Sequence, residues 1–305
     1  MKKKLLALIL SGVLCLSLGV PVGAASYPNE DVFNDAYIIF SERLAADGIS
    51  AQTCLEDFIS GYESFDGGTV EQYIDSLVLD ETNLVPQLDS TVSRNLEIAA
   101  EYFATHPDEA ISVQSGGGGS TRGEWYDNIG ETNPKLPEEA LYDTYDILST
   151  VKKGDIIRET SGGIASLVGH IAIVEGKYWD STYQQWYIRT VEATLPTVTH
   201  GALDDARYDH RGVEVYYVTD ASSTKKTDAV NFCLGQIGKP WSLEVPLLSS
   251  VSYKSDTKNW YCSELVWAGY YNAGINLHGS SVPKHIYTPA KLASSDKLTS
   301  RNVEG

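Results

Sequence analysis

The spacing of apolar residues changes from a helical to a strand-like pattern at one stretch of the sequence. This stretch has too few apolar residues to pack into a core. Residues 112–123, which include four glycines at 116–119, are interpreted as a flexible Gly/Ser-rich linker. Before it, at 25–111, apolar residues recur every three or four positions, which is typical of helices. After it, at 124–305, β-branched and aromatic runs typical of strands, at 155–157, 170–174, 187–193 and 213–218, precede a helical segment. The chain is therefore predicted to have an α+β fold.

Residues 1–24 have the pattern of a secretory signal peptide. Three lysines precede an apolar run at about 5–20, and small residues favour cleavage near Ala24. This run is shorter than the ~20 residues that a membrane-spanning helix needs. Cys15 follows Leu14 and not a small residue, which disfavours the alternative of a lipoprotein. We expect a secreted or cell-envelope protein with no stable membrane insertion after cleavage.

The net charge of the chain limits the classes of partner that it is expected to bind. Removing the three lysines with the leader takes the formal net charge from −18 to −21, and no block of Lys and Arg remains. Such a chain lacks the basic surface that binds phosphate backbones or anionic lipids. Nucleic acid is therefore not expected as a partner. A simpler interpretation is that the acidity only keeps a secreted protein soluble.

Three cysteines lie outside the leader, namely Cys54, Cys233 and Cys262. An odd number in an exported protein leaves at least one free thiol, even if the other two pair. Whether Cys54 and Cys233 pair is left open. Cys262 has three possible roles: a buried small hydrophobe, a disulfide partner of Cys233, or a nucleophile.

The residues that follow Cys262 favour the nucleophile. An inward stripe of Leu265, Val266, Gly269 and Tyr270 has helical spacing, so Cys262 is predicted to lie in the first turn of a helix. The unpaired N–H groups and partial positive charge of a helix N-terminus favour a thiolate over a thiol. The same N–H groups can stabilise an oxyanion.

A candidate general base and its orienting carboxylate lie on predicted strands. His170 begins the run 170–174, and Glu192 lies in the next run, 187–193. A turn centred near Ser181 would set Glu192 opposite His170, where a carboxylate fixes the imidazole tautomer and stabilises the imidazolium. A one-residue error in this register would move Glu192 to the other face. A histidine in a strand also has the simpler interpretation of a structural residue.

A metal site is a second hypothesis for the same domain. Five residues offer ligand atoms: His200, Asp204, Asp205, Asp209 and His210. Their spacing matches neither HExxH nor CxxC, and no G-x-S-x-G serine elbow is present. We therefore expect neither a metal nor another cofactor.

Motifs in the second domain resemble those of a known family. In chain order they are GHIAIV at 169–174, VEA at 191–193, GKPW at 238–241, YCSELV at 261–266 and AGI at 273–275. This order is similar to that of the circularly permuted papain-like cysteine hydrolases of the YiiX type, which are related to the NlpC-type cell-wall peptidases.

The resemblance covers the chain from about residue 151 onwards and implies both a site and a fold. It implies a Cys–His dyad with a third polar residue, here Cys262, His170 and Glu192. It also implies a small antiparallel, barrel-like sheet packed on the cysteine helix. The helical region at 25–111 lies outside the resemblance, so a chain that begins near Arg122 is predicted to fold alone.

The resemblance implies a hydrolase but not one substrate. We expect a secreted cysteine hydrolase that cleaves an amide bond, in a peptide or cell-wall peptide, through an acyl-enzyme on Cys262 with His170 as base. The superfamily also includes enzymes of lipid amides and esters, so a lipid amide or ester hydrolase or acyltransferase is an alternative. A non-catalytic module that binds wall peptide or another ligand is the alternative from a different class.

Overall fold

A computed structural model describes residues 30–66, 68–107, 145–160, 169–182, 184–204, 207–208, 212–242, 259–279 and 288–303. The predicted signal peptide at 1–24 and the predicted linker at 112–123 lie outside the described residues. In the part of the chain that is described, no helix has both the length and the apolar character needed to span a membrane.

In its described residues the N-terminal region forms three helices, as the spacing of apolar residues predicts. They are α1 at Glu30–Ala46, α2 at Leu55–Glu63 and α3 at Val70–Thr105. A capping box starts α3: Thr69 Oγ1 accepts the N–H of Gln72, and the side chain of Gln72 accepts the N–H of Thr69. This exchange satisfies two N–H groups that a helix start otherwise leaves unpaired.

In the described residues from 145 onwards, six strands form one sheet and four helices have defined bounds. They are α4 at Ile147–Thr150, β1 at Ile156–Glu159, β2 at His170–Asp180, β3 at Gln185–Ala193, β4 at Val198–Leu203, β5 at Val213–Val218, α5 at Ser223–Leu234, α6 at Cys262–Asn272, α7 at Pro289–Ala293 and β6 at Leu298–Arg301. The strand order is β4-β3-β2-β1-β5-β6, and neighbouring strands pair in antiparallel fashion. The predicted α+β fold is therefore confirmed. Among the described strands, however, the sheet ends at β4 and β6 and is not closed like a barrel.

The cysteine helix α6 packs on the sheet and on α5. Its Leu265 and Val266 are fully buried in one cluster with Ile171, Ile173 and Val191 of the sheet. The close approach of α5 depends on a residue without a side chain on α6. A Cβ at Gly269 would lie 2.8 Å from the sulfur of Cys233 and 2.9 Å from the carbonyl oxygen of Ala229. The base of the site is therefore a rigid, closely packed unit.

The N-terminal helices share a core with the sheet. Buried aromatic residues of α1 and α2, including Tyr37 and Phe58, form one cluster with Tyr178 of β2 and Tyr187 of β3. At the other end of α3, Asn95 Nδ2 donates to the carbonyl oxygen of Ile237 at 2.7 Å. These contacts argue against the prediction that the chain after Arg122 folds alone, because removing the helices would expose this cluster.

The β2–β3 hairpin has a register that differs from the predicted one. Its last pair is Asp180 with Gln185, so the turn lies later than the predicted centre at Ser181. Near the site Ile173 pairs with Val191, and continuing this register sets Glu192 two positions away from the partner of His170. A shift of two residues preserves the face of a strand. Glu192 therefore stays within reach of His170.

Candidate active site

The first turn of α6 presents Cys262. Tyr261 is the N-cap residue, with extended backbone angles, and Cys262 is the first helical residue. All three described cysteines outside the leader are free. Cys262 is 9 % exposed, whereas Cys54 and Cys233 are fully buried. Among these three cysteines, Cys262 alone retains some exposure to solvent.

His170 connects the thiol to a carboxylate. Its Nε2 lies 2.9 Å from Glu192 Oε2, and its ring also hydrogen bonds with the side chain of Cys262. Because an ionised carboxylate only accepts, Nε2 carries a proton and Nδ1 remains for the thiol. Burial opposes protonation of the imidazole, but the hydrogen bonds with Cys262 and Glu192 outweigh it and raise the pKa of His170 well above its usual value.

Three side chains hold the Glu192 carboxylate. Thr190 Oγ1 donates to its Oε1 at 2.5 Å, and Arg207 donates to both of its oxygens. Burial alone would favour the neutral acid, but the Arg207 cation and the hydrogen bond from His170 hold the pKa of Glu192 well below its usual range. Glu192 is therefore a carboxylate at neutral pH.

Space for this carboxylate comes from a glycine on the neighbouring strand. Gly201 pairs with Thr190, and a Cβ at Gly201 would lie 2.0 Å from Glu192 Oε1 and 2.3 Å from Thr190 Oγ1. Real Cβ atoms do not approach other atoms so closely. The absence of a side chain at Gly201 is thus a requirement of the site.

Two charged residues of the site were missed by sequence reasoning. Glu159 ends β1 and pairs with His170 in the sheet register, and Arg207 follows β4. Glu159 lay just beyond the predicted strand, so no register argument reached it. Arg207 lies outside the strands, where no periodicity predicts the direction of a side chain. The sequence signal for Gly201 was also weak, because β4 itself was not predicted. Thr190 lies in the predicted run 187–193 but was not identified as a site residue.

Glu264 is a buried acid in the first turn of α6. It is 6 % exposed, and its carboxyl group accepts the backbone N–H of Tyr261. Burial raises the pKa of Glu264 to about 8, although the bond from Tyr261 acts in the opposite direction. Its contact with the N-cap residue gives it a structural role in the turn that carries Cys262.

The residues considered for a metal site have other partners where they are described. His200 Nδ1 lies 3.1 Å from Glu175 Oε2, and Asp204 Oδ1 accepts the backbone N–H of Arg207. The other three, Asp205, Asp209 and His210, lie outside the described residues. Within the described ranges, no group of three or more His, Cys, Asp or Glu residues is arranged to hold a metal ion.

The arrangement of these side chains suits nucleophilic attack on a carbonyl group. A thiol at a helix N-terminus contacts an imidazole, and that imidazole is paired with a buried carboxylate. Such a constellation provides a nucleophile, a proton acceptor and a group that stabilises the imidazolium. The N–H groups of the first turn of α6 add donors for negative charge on oxygen.

Comparison with known proteins identifies a family for the second half of the chain. No curated protein and no solved structure matches it significantly. The profile of one family does match residues 150–300, which contain all the site residues described above, and this family is described as permuted papain-like amidase enzymes, YaeF/YiiX, C92 family. Through these residues the chain belongs to that family of cysteine amidases and peptidases.

Proposed function

We propose that this protein is an exported cysteine amidase that cleaves an amide bond in a peptide or cell-wall peptide. In this proposal Cys262 is the nucleophile, His170 is the general base, and Glu192 orients His170. The observation that carries the proposal is the contact of His170 with Cys262 on one side and with Glu192, at 2.9 Å, on the other.

The first half-reaction forms an acyl-enzyme. His170 Nδ1 takes the proton of the Cys262 thiol, and the sulfur attacks the carbonyl carbon of the scissile amide. The carbonyl electron pair moves onto oxygen, where the N–H groups at the start of α6 stabilise it. When the intermediate collapses, the C–N bond breaks and Nδ1 gives its proton to the departing nitrogen. The products are a free amine and a thioester on Cys262.

The second half-reaction restores the thiol. His170 takes a proton from water as the water oxygen attacks the thioester carbonyl. The C–S bond then breaks, the acid leaves, and the thiolate and imidazolium remain as a pair. Glu192 stays ionised throughout and stabilises the imidazolium in both steps, as the low pKa of its carboxyl group requires.

Two features of the sequence support an extracellular peptide as the substrate. The leader pattern at 1–24 directs the enzyme out of the cytoplasm. The remaining chain, at a formal charge of −21 once the three leader lysines are removed, attracts peptides with free amino groups and repels anionic lipid surfaces. The charge thus favours a peptide over a lipid amide.

The test uses the purified chain without residues 1–24. It is incubated with soluble peptides released from bacterial peptidoglycan, with unrelated peptides and with N-acyl amide lipids. New primary amines are measured with fluorescamine, and the mass of the Cys262-containing fragment is monitored for a trapped acyl group. Cys262→Ala is the matched control, because it removes the nucleophile and only a single sulfur atom.

Each result has a stated meaning. Release of amines from peptides, lost in Cys262→Ala, supports the proposal. Turnover of the lipid amides alone would replace the peptide by a lipid substrate. Binding of wall peptides without amine release or an acyl adduct would indicate a non-catalytic module and overturn the enzymatic proposal.

A further inference from the structure

Arg207 contacts Glu192, the carboxylate that is paired with His170. It is 1 % exposed and donates from Nη1 to Glu192 Oε1 at 2.6 Å and from Nη2 to Glu192 Oε2 at 3.0 Å. Nη1 also donates to the carbonyl oxygen of Ala202 at 2.9 Å. The planar guanidinium therefore holds both oxygens of Glu192 and is itself tied to the end of β4. A bidentate contact of this kind fixes the plane and position of a carboxylate.

A second buried carboxylate shares the same cation. Arg207 Nε donates to Glu159 Oε1 at 2.6 Å, and Glu159 is 5 % exposed. Glu159, Glu192 and Arg207 together carry one net negative charge. That charge is balanced when His170 is protonated, so the buried cluster is neutral with an imidazolium in it. Buried charges need such compensation, because their desolvation is costly.

The groups around His170 come from several elements. Glu159 lies on β1, Glu192 on β3 and Cys262 on α6, and Arg207 lies after β4. The negative charge of Glu159, like the bond from Glu192, favours the protonated form of the imidazole. Without Glu159, Arg207 would cancel the charge of Glu192, and His170 would face no net negative charge.

We propose that Arg207 is a positioning residue: with Glu159 as its second anion, it holds the Glu192 carboxylate ionised and aligned on His170. This inference rests on the proposed function. It makes the orienting group of the site a trio of Glu159, Arg207 and Glu192 in place of a single carboxylate. A lysine cannot replace the arginine, because a single ammonium group cannot bond Glu159 and both oxygens of Glu192 in the geometry of the guanidinium fork.

The experiment compares two buried arginines of the same kind. Arg189 is also 1 % exposed and donates from two nitrogens to one buried carboxylate, Glu175, at 2.6 Å each. It packs on Tyr178, among the residues of the cluster shared with the N-terminal helices. Arg189→Lys therefore disturbs a comparable buried pair without touching His170 or Glu192, and it serves as the control for Arg207→Lys.

Two readouts do not depend on knowing the substrate. One is the rate at which iodoacetamide alkylates Cys262 at neutral pH, measured by peptide mass mapping. The other is the titration of the His170 ring by NMR of histidine-labelled protein, with the signal assigned from His170→Ala. In Arg207→Lys we expect a tenfold or greater loss of alkylation rate, and a His170 midpoint lower by about one pH unit. Arg189→Lys leaves both values as in the wild type.

The outcomes separate this inference from the proposed function. An unchanged His170 midpoint in Arg207→Lys, or an equal change in Arg189→Lys, overturns the inference. If Arg207→Lys does not fold, Glu159→Gln carries the test: it must lower the His170 midpoint, and an unchanged midpoint overturns the inference. A wild-type protein that cleaves no amide defeats the proposed function, whereas the NMR comparison still decides the role of Arg207.

Discussion

His170 and Glu192 contact each other, but their removal should have different consequences. His170→Ala removes the acceptor of the thiol proton and the imidazolium that stabilises the thiolate. We expect nearly complete loss of amide turnover and slower alkylation of Cys262 by iodoacetamide. His106→Ala, at the C-cap of α3, is the control. Full activity in His170→Ala would remove His170 from the mechanism.

Glu192 acts through His170, so its neutral analogue should retain part of the activity. Glu192→Gln keeps the size of the side chain but loses the charge that stabilises the imidazolium. We expect turnover to fall by roughly 10- to 1,000-fold, which is less than for His170→Ala. The comparison is made on kcat with the same peptide. A loss equal to that of His170→Ala would mean that Glu192 is as essential as the base.

Gly201 offers a test that leaves the site residues in place. In Gly201→Ala the new Cβ would lie 2.0 Å from Glu192 Oε1, and the carboxylate cannot yield freely because His170, Thr190 and Arg207 hold it. We expect a loss of turnover of about 100-fold from a displaced orienting group. The control is Gly235→Ala, whose Cβ would have its nearest neighbour at 3.4 Å. Equal activity of the two variants would contradict the requirement for space at Gly201.

Individual site residues could be predicted where the periodicity of the surrounding segment determines which way the side chain points. Cys262 is the first residue of a helical stripe, and His170 begins an alternating strand, so each could be assigned from its own segment. Glu192 was assigned from a strand register that was wrong by two residues. The assignment still put Glu192 on the correct face, because side chains alternate between faces with a period of two. Glu159 and Arg207 take their roles from long-range contacts, which local sequence does not encode.

Strand prediction succeeded where the residues are β-branched and failed where they are not. The runs in β2, β3 and β5 are rich in such residues, whereas β4 contains His200 and Gly201 and β6 is a short, largely polar strand. Both missed strands lie at the edges of the sheet. Their pairing with β3 and β5 overrides a weak intrinsic preference for the strand conformation. Because β4 and β6 each pair on one side within this sheet, the sheet stays open at these two edges.

The contact between the N-terminal helices and the sheet can be tested by removing the helices. A chain that begins near Arg122 lacks α1 to α3 and therefore exposes Tyr178 and Tyr187, together with the buried pair of Arg189 and Glu175. We expect it to aggregate or to unfold without cooperativity. Circular dichroism during heating and size-exclusion chromatography provide the measurement, with the chain from residue 25 as control. A soluble truncated chain with a sharp transition would show that the sheet and α6 suffice.

For the whole molecule, buried ionisable groups determine how stability depends on pH. Glu175 and Glu192 have pKa values held far below the usual range, chiefly by Arg189 and Arg207 against the effect of burial. The unfolded chain binds protons at these groups near pH 4.3, where the folded chain does not. Their contribution to stability is therefore present above that pH and is lost as the pH falls towards their folded values.

Glu264 acts in the opposite direction. Burial raises the pKa of its carboxyl group from 4.5 to about 8, so between these values the folded chain keeps a proton that the unfolded chain has released. The free energy of unfolding must then decrease as the pH rises through this window, at about 1.4 kcal/mol for each unit of pKa difference. The raised pKa of His170 adds a fall of the same sign above about pH 6.5.

Replacing Glu264 isolates its contribution to the pH dependence of the free energy of unfolding. Glu264→Gln cannot ionise but still accepts the N–H of Tyr261, and His170 is present in both proteins, so the difference between their curves belongs to Glu264. We expect the wild type to lose a few kcal/mol more than Glu264→Gln between pH 5 and pH 8 in urea unfolding. Glu63→Gln, at the exposed end of α2, should follow the wild type. If the Glu264→Gln and wild-type curves stay parallel across this range, the carboxyl group of Glu264 is solvated, and the first turn of α6 is more open than its burial indicates.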